Sequence, residues 1–183
     1  MRQSIIVSET SKILKEKLKD SGTIYAIPDV KEGYTWVSNG VMLVKLNQGE
    51  FHEVFLNLKI TPGLGSHTKH ESHNDRIPDV TQYMVHEGES VNISNIVLNL
   101  ELADVDHARL MMSDQDLSLI NDKYVPLLRE FNNLKHNSAK QAVSGLRYGH
   151  LGIFLLGLRQ SGDRIQEHIL KPLSRYIQEN SLL

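Results

Sequence analysis

The stretch of sequence that most constrains the fold runs from Gly33 to Ile60. Two apolar runs flank Asn39-Gly40, and this dipeptide is a strong hairpin signal because both central residues of a type I′ turn need a positive φ. A polar break at 47–50 predicts a second turn, and the next strand is predicted from its apolar residues, Phe51, Val54, Phe55, Leu56, Leu58 and Ile60. The stretch therefore predicts a three-stranded antiparallel meander whose apolar face is covered by helices.

Residues alternate along the first two of these strands, with Tyr34 and Trp36 on one parity. The other parity is not cleanly polar, which indicates a sheet that is covered on both faces. Trp36 is the only tryptophan of the chain. Two roles for it follow from the sequence: packing in the core, or an exposed stacking contact with a partner.

A helix is predicted before the meander, capped by Ser8 or Thr10 and ending near Asp20. Its lysines recur at positions i, i+3 and i+7 and therefore share one face, namely Lys12, Lys15 and Lys19. A lysine row of this kind is either an ordinary solvated face or a surface that contacts phosphates.

The second half of the chain adds further strands. Residues 91–102 alternate with a phase slip near Ser94-Asn95, which predicts a bulge. A closing hairpin is predicted around residues 147–150, between apolar runs at 141–146 and 151–158.

Two more helices are predicted there. One is capped by Asn121 or Asp122 and continues to Leu134. The last one is capped by Asp163 and is kinked or split by Pro172. Together these elements predict one α+β domain over residues 1–183, with a mainly antiparallel β-sheet of about 7–9 strands and three helices packed on it.

Residues 61–80 are rich in proline, glycine and histidine and predict a long loop of the kind that is usually functional or disordered. Its imidazoles and carboxylate suggest a site for a divalent metal such as zinc, formed by His67, His70, His73 and Asp75. The three-residue spacing does not place the ligands on one side of a helix or strand, so a solvated or partner-contacting loop is the alternative.

Composition narrows the function classes. The chain of 183 residues has no cysteine, which excludes disulfides and a cysteine nucleophile. Its formal net charge of −2 gives no global attraction to nucleic acid or membranes, and no apolar run is long enough for a signal peptide or a membrane span. These features predict a cytoplasmic protein.

No phosphate-binding glycine loop or nucleophile elbow is present in the sequence, which favours binding over catalysis.

Three segments carry a resemblance to a known family: residues 36–46, from Trp36 to Leu46, residues 120–128 and residues 149–157. Together they resemble small proteins of phages and conjugative elements that are built like a DNA polymerase sliding clamp or part of one. The resemblance implies a curved antiparallel sheet with helices on one side, no catalysis, and contact with a DNA backbone or a replication partner through Lys12, Lys15 and Lys19. The chain is too short for the repeated domains of a full clamp subunit, and neither the last helix nor the histidine-rich loop has a counterpart.

The sequence thus predicts a non-enzymatic binding or accessory protein that contacts a protein partner or a DNA backbone, encoded by a phage or mobile element. One alternative is a metal-dependent hydrolase that uses residues 67–73. Another is a structural subunit of a larger assembly, including a homo-oligomer, in which residues 61–80 become ordered on contact with a neighbour.

Overall fold

The computed structural model describes residues 4–29, 32–69, 79, 84–102, 105–113, 117–158 and 166–180. The first half of the chain forms α1 (Ile5–Lys19), β1 (Ile24–Asp29), β2 (Tyr34–Ser38), β3 (Met42–Leu46), α2 (Gln48–Leu58) and β4 (Gly65–His67).

The second half begins with strands and ends with helical segments. Its strands are β5 (Glu89–Ser90), β6 (Asn92–Leu102), β7 (Val105–Met112), β8 (Leu117–Asn121), β9 (Asn132–Asn137), β10 (Ala142–Arg147) and β11 (His150–Leu156). Its helical segments are a 3₁₀ turn (Asp122–Tyr124), α3 (Val125–Leu128), a π-helical turn (Gln166–Leu170) and α4 (Lys171–Glu179).

The α+β class and the dominant antiparallel sheet are confirmed, and the number of elements is corrected. The described residues form an eight-stranded sheet in the order β4-β1-β2-β3-β11-β10-β9-β5 and a separate three-stranded sheet, β6-β7-β8. They contain four α-helices, where the sequence predicted three. None of the helices in the described ranges is long and apolar enough to cross a bilayer.

The two halves of the chain meet in the centre of the large sheet. The last strand, β11, lies beside β3 and pairs with it in antiparallel register, Ile153 with Val44, Phe154 with Leu43 and Leu155 with Met42. Strands β1, β2 and β4 lie on one side of this pair, and strands β5, β9 and β10 lie on the other. The sheet therefore exists only when both ends of the chain are folded.

Both faces of the large sheet are covered by apolar side chains, as the mixed parity predicted. The larger cluster lies on the face of α1 and α2 and includes Phe55 and Val44, which are fully buried. A smaller cluster on the opposite face consists of Ile27, Trp36, Leu43, Ala142 and Phe154. A third cluster joins the three-stranded sheet to the C-terminal helical segment through Leu110 and Ile169.

The hairpin at Asn39-Gly40 is confirmed, but its turn is not the predicted two-residue type I′ turn. Ser38 pairs with Leu43, so four residues form the loop. Of Asn39 and Gly40, only Gly40 has a positive φ, of 90°. The Asn39 side chain explains this geometry. Its Oδ1 accepts hydrogen bonds from the backbone N–H groups of Val41 and Met42, at 3.0 and 2.9 Å.

The predicted strand at 51–60 is wrong, because this segment is helix α2. Asn47 and Glu50 form a capping box, in which the Asn47 side chain accepts from the Glu50 N–H and the Glu50 carboxylate accepts from the Asn47 N–H. The buried residues follow the helical spacing i, i+3, i+4 and i+7: Phe51, Val54, Phe55 and Leu58. Leu56, one of the apolar residues of the predicted strand, is 76% exposed on the solvent side of α2.

The predicted helix from 121 to Leu134 is also wrong beyond its first turns. The chain makes a 3₁₀ turn and the single turn of α3, with a proline in the first turn, and then enters β9. The bulge in β6 is confirmed by a shift in register between Ile93 and Val97. A π-helical turn, Gln166–Leu170, runs directly into α4, and Pro172 lies in the first turn of α4, so the last helical segment is divided next to this proline. Asp163 lies outside the described residues.

The closing hairpin is confirmed. Arg147 pairs with His150, and the two residues between them, Tyr148 and Gly149, both have a positive φ, of 55° and 82°. This is the backbone signature of a type I′ turn.

We expect Asn39→Ala to lower the free energy of unfolding by about 2–4 kcal/mol, measured by urea denaturation. The substitution leaves two backbone N–H groups without their acceptor and removes the hydrogen bond from Asn39 Nδ2 to the Tyr124 hydroxyl, which is 3.0 Å long. Tyr124→Phe removes only that last bond and is expected to cost about 1 kcal/mol. As a control, Asn132→Ala changes an exposed asparagine and is expected to stay within about 0.5 kcal/mol of the parent. If Asn39→Ala and Asn132→Ala lowered the free energy of unfolding equally, the hydrogen bonds of the Asn39 side chain would not be what stabilises the hairpin.

Candidate functional site

The lysine row of the sequence lies on the solvent side of α1. Lys12, Lys15 and Lys19 are all exposed, whereas Ile13 and Leu14 on the opposite side are buried against the large sheet. Lys12 lies 4.0 Å from the Glu9 carboxylate. Among the described residues no carboxylate pairs with the other two ammonium groups. The helix thus presents three positive charges on one face, and we call this face the α1 lysine row.

The lysine row is held in place by the packing of α1 on α2. Ser11 donates a hydrogen bond of 2.6 Å to the Val7 carbonyl and accepts one of 3.1 Å from Asn57 of α2. Lys17 and Lys19 occupy the last turn of α1, where positive charge also interacts favourably with the helix dipole. A surface on such a fixed helix can meet a rigid partner without a loss of backbone freedom.

Trp36, the second predicted binding residue, is packed inside the molecule with only 2% of its surface exposed. Its indole N–H donates to Asp29 at 3.4 Å, and the Lys45 ammonium lies 5.7 Å from the ring centroid. The environment of Trp36 is thus that of a core residue. A partner contact through this ring stays a prediction that would need the ring to become accessible.

Lys45 is a buried cation that the sequence analysis did not single out. It is 9% exposed on β3, where it forms ion pairs with Glu32 and, at 3.8 Å, with Asp29. The Tyr34 ring centroid lies 4.8 Å from its ammonium group. Two carboxylates and two aromatic rings thus compensate for the burial of one charge. The one signal in the sequence is that this lysine interrupts an otherwise apolar strand.

Of the four predicted metal ligands, the structure describes one. His67 ends β4; its Nε2 lies 3.1 Å from the Gly63 carbonyl oxygen, and its ring lies edge-on to Phe55 with the ring centroids 5.0 Å apart. His70, His73 and Asp75 lie outside the described residues. Within the described ranges, no group of three or more His, Asp or Glu side chains is placed to hold a metal ion. The metal site stays a prediction.

Arg147 and Glu50 form an ion pair between distant parts of the chain, 97 positions apart. The guanidinium donates two hydrogen bonds to the carboxylate, of 2.6 and 3.0 Å, which is the bidentate geometry that makes such pairs strong. Burial opposes the charge of Arg147, but the hydrogen bonds and the negative charge of Glu50 outweigh it, so the pKa of Arg147 is raised. No local pattern in the sequence indicates this contact, because its two residues lie 97 positions apart.

His86 and Ser144 form a polar contact on the other face of the sheet. His86 Nδ1 lies 2.9 Å from the Ser144 hydroxyl, and its Nε2 is buried without a hydrogen-bond partner among the described residues. Ser144 is 3% exposed. Burial lowers the pKa of His86, and the positive charge of Lys135 lowers it further. Burial and the charge of Lys135 therefore favour the neutral imidazole.

No protein-family model, curated protein or solved structure shows significant similarity to this chain. The resemblance to sliding clamps stays a prediction.

The stability of the protein should depend on pH through His86. The pKa of His86 is lower in the folded chain than in the unfolded chain, so protonation of His86 favours unfolding. The neutral His86 therefore contributes fully to stability above the pKa of the unfolded chain, about 6.5, and this contribution is lost as the pH falls below that value. We expect the unfolding free energy of the parent to fall relative to that of His86→Gln between about pH 8 and pH 5. The glutamine variant keeps the other eight histidines, so the difference isolates His86. An NMR titration midpoint of His86 at or above 6.5 would contradict this expectation.

Proposed function

We propose that this protein is a non-enzymatic binding protein that contacts the backbone of duplex DNA through the α1 lysine row. The observation that carries the proposal is the arrangement of Lys12, Lys15 and Lys19, three exposed cations on one face of a helix whose other face is fixed to the sheet. Backbone contacts need positive charges at fixed positions and carry no sequence information. Because the whole chain has a net charge of −2, the attraction to DNA phosphates comes from the α1 lysine row and not from the overall charge of the protein.

The serine–histidine contact does not favour a hydrolase. Ser144 is buried, so a substrate could not reach its hydroxyl. In the described part of the chain no carboxylate bonds to His86, so the third group of a catalytic triad is not in place there. Binding is therefore the function that the geometry supports best.

The salt dependence of DNA binding tests the proposal. If each lysine of the row contacts one phosphate, the affinity for a labelled duplex should fall with a log–log slope of about −2.7, or about fortyfold between roughly 50 and 200 mM salt. Replacing all three lysines by alanine should bring this slope close to zero. Fluorescence anisotropy of a 5′-labelled duplex gives both numbers.

A matched control removes the same charge elsewhere. Arg129, Lys171 and Arg175 are exposed and lie outside α1, so the triple alanine variant of these residues has the same net charge as the lysine-row variant. We expect it to keep the salt slope of the parent. Equal losses in the two variants would mean that binding follows net charge alone, and an affinity that does not change with salt would refute the DNA contact.

A further inference from the structure

Glu16 is a carboxylate on α1 that lies beside the lysine row. It follows Lys12 by four positions and precedes Lys19 by three, and at these spacings opposite charges on a helix are neighbours. Its carboxylate nevertheless lies 3.3 Å from the ammonium group of Lys123, which is 107 positions further along the chain. Among the described residues, this is the one ion pair that Glu16 forms. A contact with the second half of the chain thus replaces the pairing that the helix itself offers.

Lys123 reaches α1 from a segment that is anchored on both sides. Before it, the Asp122 carboxylate accepts a hydrogen bond of 2.6 Å from Arg109 of β7. After it, Tyr124 is 4% exposed, and the centroid of its ring lies 5.5 Å from the Lys123 ammonium group. The backbone at Lys123 is therefore fixed, and its ammonium group is held within reach of Glu16.

The Glu16–Lys123 pair preserves the positive charge of the lysine row. A lysine that already has a carboxylate partner contributes less to the release of counterions when it meets a DNA phosphate. Lys12 has one such carboxylate at 4.0 Å, that of Glu9. If Glu16 also turned to the row, two carboxylates would face its three lysines, and only one positive charge would remain in excess.

We propose that Lys123 is a positioning residue for the α1 lysine row, because it holds the Glu16 carboxylate away from the lysines that contact DNA. The inference rests on the proposed DNA contact, and it makes that contact depend on both halves of the chain. Lys123 and Glu16 are 40% and 45% exposed, so solvent screens their pairing. An exposed ion pair of this kind changes an affinity by about two- to fivefold.

A double-mutant cycle on DNA binding distinguishes positioning from a direct phosphate contact. Without Lys123, the Glu16 carboxylate should turn to the lysine row. Lys123→Ala should therefore weaken binding of the labelled duplex and move the log–log salt slope from about −2.7 toward about −1.8. In the Glu16→Gln background no carboxylate can move, so the loss of affinity should be about two- to fivefold smaller than in the parent. The loss of one cation as such is common to both backgrounds and cancels. Equal losses would mean that Lys123 is simply another cation near the DNA, and the proposal would be wrong.

Two further variants test whether the ion pair itself matters. Lys123→Arg keeps a cation that can bind the Glu16 carboxylate, so the affinity and salt slope of the parent should return. The matched control is Arg129→Ala, which removes an exposed cation six positions further along the chain. Its effect on DNA binding should be the same with Glu16 and with Glu16→Gln. A loss in Lys123→Arg as large as that in Lys123→Ala would contradict the positioning role.

The movement of the carboxylate can also be followed without DNA. In ¹H–¹⁵N NMR spectra of the lysine ammonium groups, Lys123→Ala should shift the Nζ signal of Lys12 or Lys19, and in the Glu16→Gln background it should shift neither. If these signals respond but the parent binds no duplex, the positioning of Glu16 is supported and the proposed function fails. If the parent binds duplex but the signals stay unchanged in Lys123→Ala, Glu16 does not turn to the row, and the positioning role is overturned.

Discussion

The pairing of β3 with β11 is the interaction on which the rest of the structure depends. It is the only strand contact that joins the four strands from the first half of the chain to those from the second half within the described residues. Side-chain contacts cross between the same halves as well: Asn39 with Tyr124, Glu50 with Arg147, and Glu16 with Lys123. Because these contacts close a very long loop, they form at a high cost in chain entropy, and bidentate and buried hydrogen bonds offset part of that cost.

This junction also determines which surfaces are available for binding. The Glu50–Arg147 contact attaches the tip of the β10–β11 hairpin to the start of α2. The α1 lysine row, in contrast, depends on the packing of α1 against α2 and the helix-side core. The molecule thus presents a basic helical face, which suits a negatively charged partner.

Features that depend on neighbours in sequence could be predicted from the sequence. The hairpin around Tyr148-Gly149, the bulge in β6 and the shared face of the α1 lysines all follow from local periodicity or turn chemistry. Helix α2 is determined locally as well, although the density of apolar residues between Phe51 and Ile60 predicted a strand. The capping box from Asn47 to Glu50 and the buried positions at i, i+3, i+4 and i+7 would have identified it.

Contacts between distant parts of the chain could not be predicted in this way. Lysines look alike in a sequence, yet those of α1 face solvent, while Lys45 is buried among carboxylates and aromatic rings. The difference arises because β3 is an inner strand, whose side chains are covered on both faces of the sheet, whereas α1 covers the sheet with only one of its sides. The order of strands decides that Lys45 is buried in the sheet, and that order depends on the pairing of β3 with β11.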